Sequence, residues 1–189
     1  MKFKSAILLF VSLLSACFVF AQAELDFKHK ALVKTLQKEG ITDMSNIEEI
    51  ILADSVKTSN RITGKYFLIK ENNISQYQYI YVGRVNSCRA GVCSFASDIP
   101  NKGNSEYFDY FILFGARKIV QKVKVFNYHA THGQEISAKG WLKQFIGHDG
   151  SESLEVDKNI DAISGATISV YAITADVEMK TNLLKKLQL

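Results

Sequence analysis

Between Tyr66 and Tyr128 the apolar residues tend to alternate with polar ones, and beyond Ser164 they recur every three or four positions. A period of two belongs to strands lying on a core, and a period of 3.6 to a helix. Tyr66-Phe67-Leu68-Ile69-Lys70 reads as one strand, closed by Glu71-Asn72-Asn73, and Tyr77 to Val85 as a second. Tyr107 to Phe114 and Ile119 to Tyr128 read as a further pair, with Gly115-Ala116-Arg117-Lys118 as their hairpin link. The cleanest alternation, Gln121-Lys122-Val123-Lys124-Val125, gives one packed face and one wet face. At the N-terminal end, Glu24 to Glu39 predicts an amphipathic helix with Leu25, Leu32, Val33 and Leu36 on one side and Gly40 as its stop. Ile47 to Ala53 fits helix or strand equally, because so short an apolar run has no decisive period. Strands gathered in the middle with helices at both ends imply a single α+β domain, its antiparallel sheet flanked by N- and C-terminal helices.

The change of period falls at Asp161-Ala162-Ile163-Ser164-Gly165-Ala166-Thr167-Ile168-Ser169, after which Ile168, Tyr171, Ala172, Ala175, Met179 and Leu183 follow at helical spacing. Ser164 is well placed as the N-cap of that last helix, and Thr167 then falls at N3. The first N–H groups of a helix have no intrahelical partner, and the macrodipole adds partial positive charge, so such an end receives phosphate readily. Gly165 and Ala166 let a ligand approach the backbone, and a threonine hydroxyl in that turn sits beside the phosphorus. An ordinary capped helix packed on a sheet has the same spacing, so this stretch alone leaves both readings open.

The first 23 residues have the layout of an export leader. Met1-Lys2-Phe3-Lys4 is basic, Ala6 to Phe20 is apolar, and Ala21-Gln22-Ala23 is a small-x-small cleavage site. Leu14-Ser15-Ala16-Cys17 also has the look of a lipobox, so the expectation is an exported protein of the periplasm or cell envelope, either free or anchored to a membrane surface by a lipid on Cys17. The remaining residues, 24–189, suit one domain with a proper core. Once Lys2 and Lys4 are subtracted from the 23 basic residues, 21 face 19 acidic ones, and a net charge of +2 gives no support to nucleic-acid binding. In an oxidising compartment the close pair Cys88 and Cys93 reads as a disulfide. The CxxC spacing of a redox pair is absent, and zinc would need two more ligands than the spacing supplies. His129, His132, Glu135 and His148 match no metal motif and read as polar loop residues. Trp141, the only tryptophan, belongs in the core or at the rim of a pocket. With no Ser-His-Asp order, P-loop or GxGxxG, no catalytic residue is nominated, and a hydrolase or nucleotide-fuelled enzyme has little support.

These residues together resemble the FMN-binding domain family, which includes flavinylated components of the sodium-translocating NADH:quinone reductase and of the Rnf electron-transport complex. Asp161 to Ser169 matches the family's D-x-x-[ST]-G-A-[ST]-x-[ST] flavinylation signature at every specified position. His129-Ala130-Thr131-His132-Gly133-Gln134-Glu135-Ile136 and Trp141-Leu142-Lys143-Gln144-Phe145-Ile146-Gly147 look like its H-x-E-T-P-G-L-G loop and W-x-x-Q-F-x-G helix. The likeness is firm from about Tyr107 to Leu184. It implies FMN joined through its phosphate to the Thr167 hydroxyl by a flavin transferase that uses FAD and Mg²⁺. Ser164, Gly165, Ala166 and Ile168 would surround the phosphate, Thr131, His132 and Gly133 would lie near the flavin ring, and Trp141 would belong to its surroundings. Ala130 and His132 depart from the family's glutamate and proline. The expected protein is a small exported flavoprotein that exchanges electrons with redox donor and acceptor proteins. The alternatives are a noncovalent FMN-binding module and a disulfide-stabilised binding protein without flavin.

Overall fold

The computed structural model describes residues 24–70, 76–87 and 106–188. The leader with Cys17, the Glu71–Asn73 strand end and the Cys88/Cys93 pair lie outside the described residues.

Five strands form one antiparallel sheet in the order β1-β2-β3-β4-β5. They are β1 (Ile47–Ile50), β2 (Lys65–Ile69), β3 (Tyr79–Asn86), β4 (Tyr107–Phe114) and β5 (Val120–Tyr128). Ile47 pairs with Ile69 and Ile50 with Tyr66, so the ambiguous Ile47 stretch is an edge strand. The hairpin expected at Gly115–Lys118 closes through Lys118 N–H to Gly115 C=O at 2.9 Å.

The N-terminal helix α1 spans Lys30–Lys38, shorter than the sequence suggested. His29 caps it, its Nδ1 accepting from the Ala31 N–H at 3.2 Å, while its ring stacks on Phe126 at 4.4 Å. Leu25 and Phe27 pack on the core from non-helical chain ahead of that cap. Gly40 stops the helix as expected: its φ of +84° lets Ile41 N–H reach back to Leu36 C=O at 3.0 Å. A short helix α2 (Asp54–Ser59) links β1 to β2.

β4 is buried along its whole length, because the sheet is covered on both sides. Phe108, Tyr110, Ile112 and Phe114 join the cluster under the C-terminal helix, while Phe111 and Leu113 join the cluster under Leu32 and Leu36 of α1. A strand covered on both faces reads as a continuous apolar run, and each fully buried aromatic there contributes roughly 1.5–3 kcal/mol.

The short helix at Trp141 is a turn of α-helix, α3 (Lys139–Leu142), running into a 3₁₀ turn at Lys143–Phe145. The C-terminal helix α4 spans Thr167–Lys186. It buries Val170, Ile173, Val177, Leu183 and Leu184, while Ile168, Tyr171 and Met179 stand 41%, 52% and 39% exposed. The apolar series that marked the helix in the sequence is therefore largely its outer stripe. Apolar residues line both sides, so the period has two solutions. The inner one holds Lys180 and Thr181, whose polar groups find partners there. Lys180 Nζ meets Asp176 at 2.9 Å, Thr181 Oγ1 donates to Val177 C=O at 2.8 Å, and Tyr66 OH donates to Lys180 C=O at 2.8 Å.

Candidate functional site

The last helix begins later than its sequence suggested. Thr167 is its first residue and Ala166 its N-cap, with no side-chain capping bond, so Ser164 is not the cap and Thr167 is not at N3. The cause is the turn ahead of it. Ala166 N–H donates to Ile163 C=O at 3.0 Å, closing a turn that places Ser164 and Gly165 at its two central positions. Gly165 adopts φ +82°, the left-handed value such a turn requires at its third residue. Ser164 is thereby spent inside the turn, and the helix starts only beyond it.

Two side chains of the Trp141 segment hold the approach to that turn. Trp141 Nε1–H donates to Asp161 C=O at 2.8 Å, and Asp161 N–H donates to Gln144 Oε1 at 2.8 Å. Gln144 is fixed in turn by donating to Trp141 C=O at 3.1 Å. The W-x-x-Q spacing thus grips one residue of the signature by both of its backbone groups. Trp141 is half-buried, its ring edge-on to Phe145 at 5.4 Å, and its contact with the signature is to Asp161.

Ser169, 2% exposed, ties the helix to the ends of β3 and β5. Its Oγ lies 2.9 Å from Ser87 Oγ and 2.9 Å from Tyr128 OH, and Tyr128 OH donates to His132 C=O at 2.6 Å. A phenol has one proton, already given to that carbonyl, so Ser169 donates to Tyr128 and Ser87 donates to Ser169. Burial raises the pKa of the Tyr128 phenol, which keeps that proton in place. Gly133, at φ +90°, presses on the same serine: a Cβ there would lie 2.7 Å from Ser169 Oγ. The structure therefore brings the Thr131–Gly133 loop onto the first turn of α4, which joins the two motifs in space.

The loop's other end rests on a carboxylate. Thr131 N–H donates to Glu106 Oε1 at 3.1 Å and its hydroxyl bonds the same oxygen, while His132 Nδ1 lies 3.0 Å from Thr131 Oγ1. A glutamate is expected at 130 by the resemblance; here the carboxylate beside Thr131 comes from Glu106. Below, His129 stacks on Tyr107 at 4.8 Å, and the Arg84 guanidinium covers Tyr107 at 3.8 Å. Arg84 binds Asp109 through two bonds of 2.6 and 3.0 Å, and Asn127 Nδ2 adds a third at 2.8 Å. Asp109 is 1% exposed, so this pair needs all of those bonds to offset its desolvation.

Sequence reasoning missed Glu106, Ser87, Tyr128 and the Arg84–Asp109 pair. The pair did leave a signal. Asp109 is the one charge in Tyr107–Phe114, Arg84 the one charge in Tyr79–Asn86, and they face each other across the ladder. Among the described residues no three His, Cys, Asp or Glu side chains gather as a metal site.

Thr167 and Ile168 are exposed, Ser164 and Gly165 likewise, and Ala166 is buried. The N–H groups of Thr167 and Ile168 have no acceptor among the described residues, because the first helical bond runs from Val170 to Ala166 C=O at 2.9 Å. A Cβ built on Gly165 meets nothing within 4 Å, so the space over the turn is open. Free N–H groups, dipole, open backbone and an exposed hydroxyl suit a phosphate ester, and these residues fit the phosphate end of a flavin mononucleotide.

An α+β domain with such a helix end could receive a phosphate there. Residues 105–179, from just before β4 into α4, match the FMN-binding domain family model. FMN is the cofactor that this match indicates. No curated protein matches the chain.

Proposed function

We propose that this protein is an exported flavoprotein that carries FMN as a phosphoester on Thr167 and passes electrons between redox proteins. The observation that carries the reading is the exposed Thr167 hydroxyl on the first residue of a 20-residue helix, inside a complete flavinylation signature. In the modification, the Thr167 oxygen bonds the flavin-side phosphorus of FAD and the pyrophosphate P–O bond breaks. AMP departs, and the hydroxyl proton passes to a base of the transferase. Thr167 and Ile168 N–H groups would hold the ester's charge, with Ser164, Gly165 and Ala166 shaping the turn. Thr131, His132 and Gly133, whose loop meets Ser169 through Gly133, would lie near the flavin ring. When bound, FMN supplies one- and two-electron redox chemistry, and the chain supplies position and polarity. A covalent link suits an exported carrier, since a dissociated flavin would be lost outside the cell.

Intact mass, measured with and without co-expressed flavin transferase, tests this reading. A gain of FMN less water on a chain beginning at Glu24 is the expected result, and Thr167→Ala removes the gain. A lipid on Cys17 would appear in the same spectrum as an anchored form. Flavin that binds but fails to fluoresce on a denaturing gel would replace the tether with a noncovalent site. Colourless protein despite the transferase would leave a binding protein without flavin. Thiol titration of the exported protein is expected to find Cys88 and Cys93 paired.

A further inference from the structure

Five lysines gather where α1, β5 and α3 meet. Lys122 and Lys124 lie opposite Leu113 and Phe111, which belong to the α1-side cluster, so both project on the side that α1 covers. β5 is the edge of the sheet among the described residues. Lys34 and Lys38 stand exposed one turn apart on α1, and Lys139 opens α3, exposed, against β5. None of the five has an ion pair with a carboxylate among the described residues, whereas Lys57, Lys65, Lys70, Lys158 and Lys180 all do. Burial, and then the charges of Lys139, Lys122, Lys38 and Lys34, hold the Lys124 ammonium below the usual lysine range.

Edge strands often carry lysine to discourage strand pairing, and that accounts for Lys122 and Lys124. It does not account for three more cations brought in by two helices. The four other cations all act on Lys124, a self-repulsion that an opposite surface would relieve.

We infer that this five-lysine face docks an acidic protein surface. Among the described residues the exposed large hydrophobics are Ile51, Ile146, Ile168, Tyr171 and Met179, and none lies on α1 or β5. With no apolar side chain to insert, the face lacks what an interfacial membrane helix uses, which favours a protein partner over a lipid one. Most of this face lies across the sheet from α4; Lys139 alone belongs to the short helix whose Trp141 grips Asp161. The inference rests on charge and geometry alone and survives if the flavin proves noncovalent or absent.

The test uses the full exported protein and a fluorescein-labelled Glu-rich peptide, read by anisotropy at low and physiological salt. Binding is expected at low salt and weakened by screening. Lys34→Glu/Lys122→Glu/Lys124→Glu is expected to weaken it by about tenfold or more. Lys57→Glu/Lys70→Glu/Lys158→Glu, with the same change in net charge, is expected to retain it. Lys124→Gln, which relieves repulsion and keeps the fold, is expected to weaken binding with melting temperature unchanged or raised. Equal loss in both triple variants would overturn the inference, since only total charge would then matter. Patch-dependent binding to phosphatidylglycerol vesicles without peptide binding would overturn it in favour of a membrane.

Discussion

The first turn of α4 and its middle are built in opposite ways. At Thr167 the helix offers an exposed hydroxyl and backbone donors that no described residue uses. Three turns further on it is bolted to the sheet. Asp176 accepts from Tyr110 OH at 2.5 Å and pairs with Lys180, itself 1% exposed, while Tyr66 reaches the Lys180 carbonyl. Burial first, and then the Asp176 charge, push the Tyr66 and Tyr110 phenols upward, so both stay protonated and keep donating. The contrast teaches that an end with unmet donors is tolerable when the rest of the helix is anchored by groups that cannot let go.

Breaking the first turn and the middle separately sharpens that division. Thr167→Ala has the largest functional effect, complete loss of covalent flavin in the intact mass, with stability unchanged within about 0.5 kcal/mol, as for other exposed substitutions. Asp176→Ala does the reverse. It strands the buried Lys180 ammonium and the Tyr110 hydroxyl, and is expected to cost about 3 kcal/mol in denaturant unfolding. Lys180→Met costs less, because Asp176 keeps 19% of its side-chain surface in water.

Two glycines near the free end separate geometry from space. Gly133→Ala meets Ser169 Oγ at 2.7 Å as well as an unfavourable φ, and is expected to cost about 1–3 kcal/mol and to slow flavin attachment by shifting the Thr131–Gly133 loop. Gly165→Ala bears only the backbone strain of its φ of +82°, about 1 kcal/mol, because no atom lies within 4 Å of the added carbon.

The smallest effect is a pH dependence. Burial lowers the pKa of His148, whose Nε2 has no partner among the described residues. The folded state then resists a proton that the unfolded chain accepts near pH 6.5, so the unfolded state binds more protons as pH falls. Stability that His148 allows in full at pH 7 and above is lost as pH drops below about 6.5, and His148→Gln should flatten the melting temperature between about pH 7 and pH 5.

The sequence made β4 legible to the residue, because a doubly covered strand is an unbroken apolar run, and it made the flavin signature legible because its small residues mark a tight approach. It did not show which side of α4 faces inward. Hydrophobicity points to Ile168, Tyr171 and Met179, and only the sheet reveals that Lys180 and Thr181 are satisfied inside. It also placed the cap at Ser164, since capping propensity is local, whereas the Ile163–Ala166 turn depends on a clamp from Trp141 and Gln144 some 17 to 20 residues earlier. Glu106 and Ser87 escaped for a similar reason: their partners are 25 and 82 positions away.

The strand order β1-β2-β3-β4-β5 follows the chain without a crossover. Each strand therefore finds its neighbour as soon as the next segment leaves a ribosome or a translocation pore, and the sheet can zip from one edge to the other. Its α4-covered side has no such luck: Tyr66, Tyr81, Tyr110 and Phe108 stay bare until α4, more than 50 residues beyond β4, has emerged. The residue that opens this closing helix is Thr167. The proposed acceptor thus takes shape only after the sheet beneath it, and a modifying enzyme that requires the formed helix end would meet only molecules whose sheet α4 already covers.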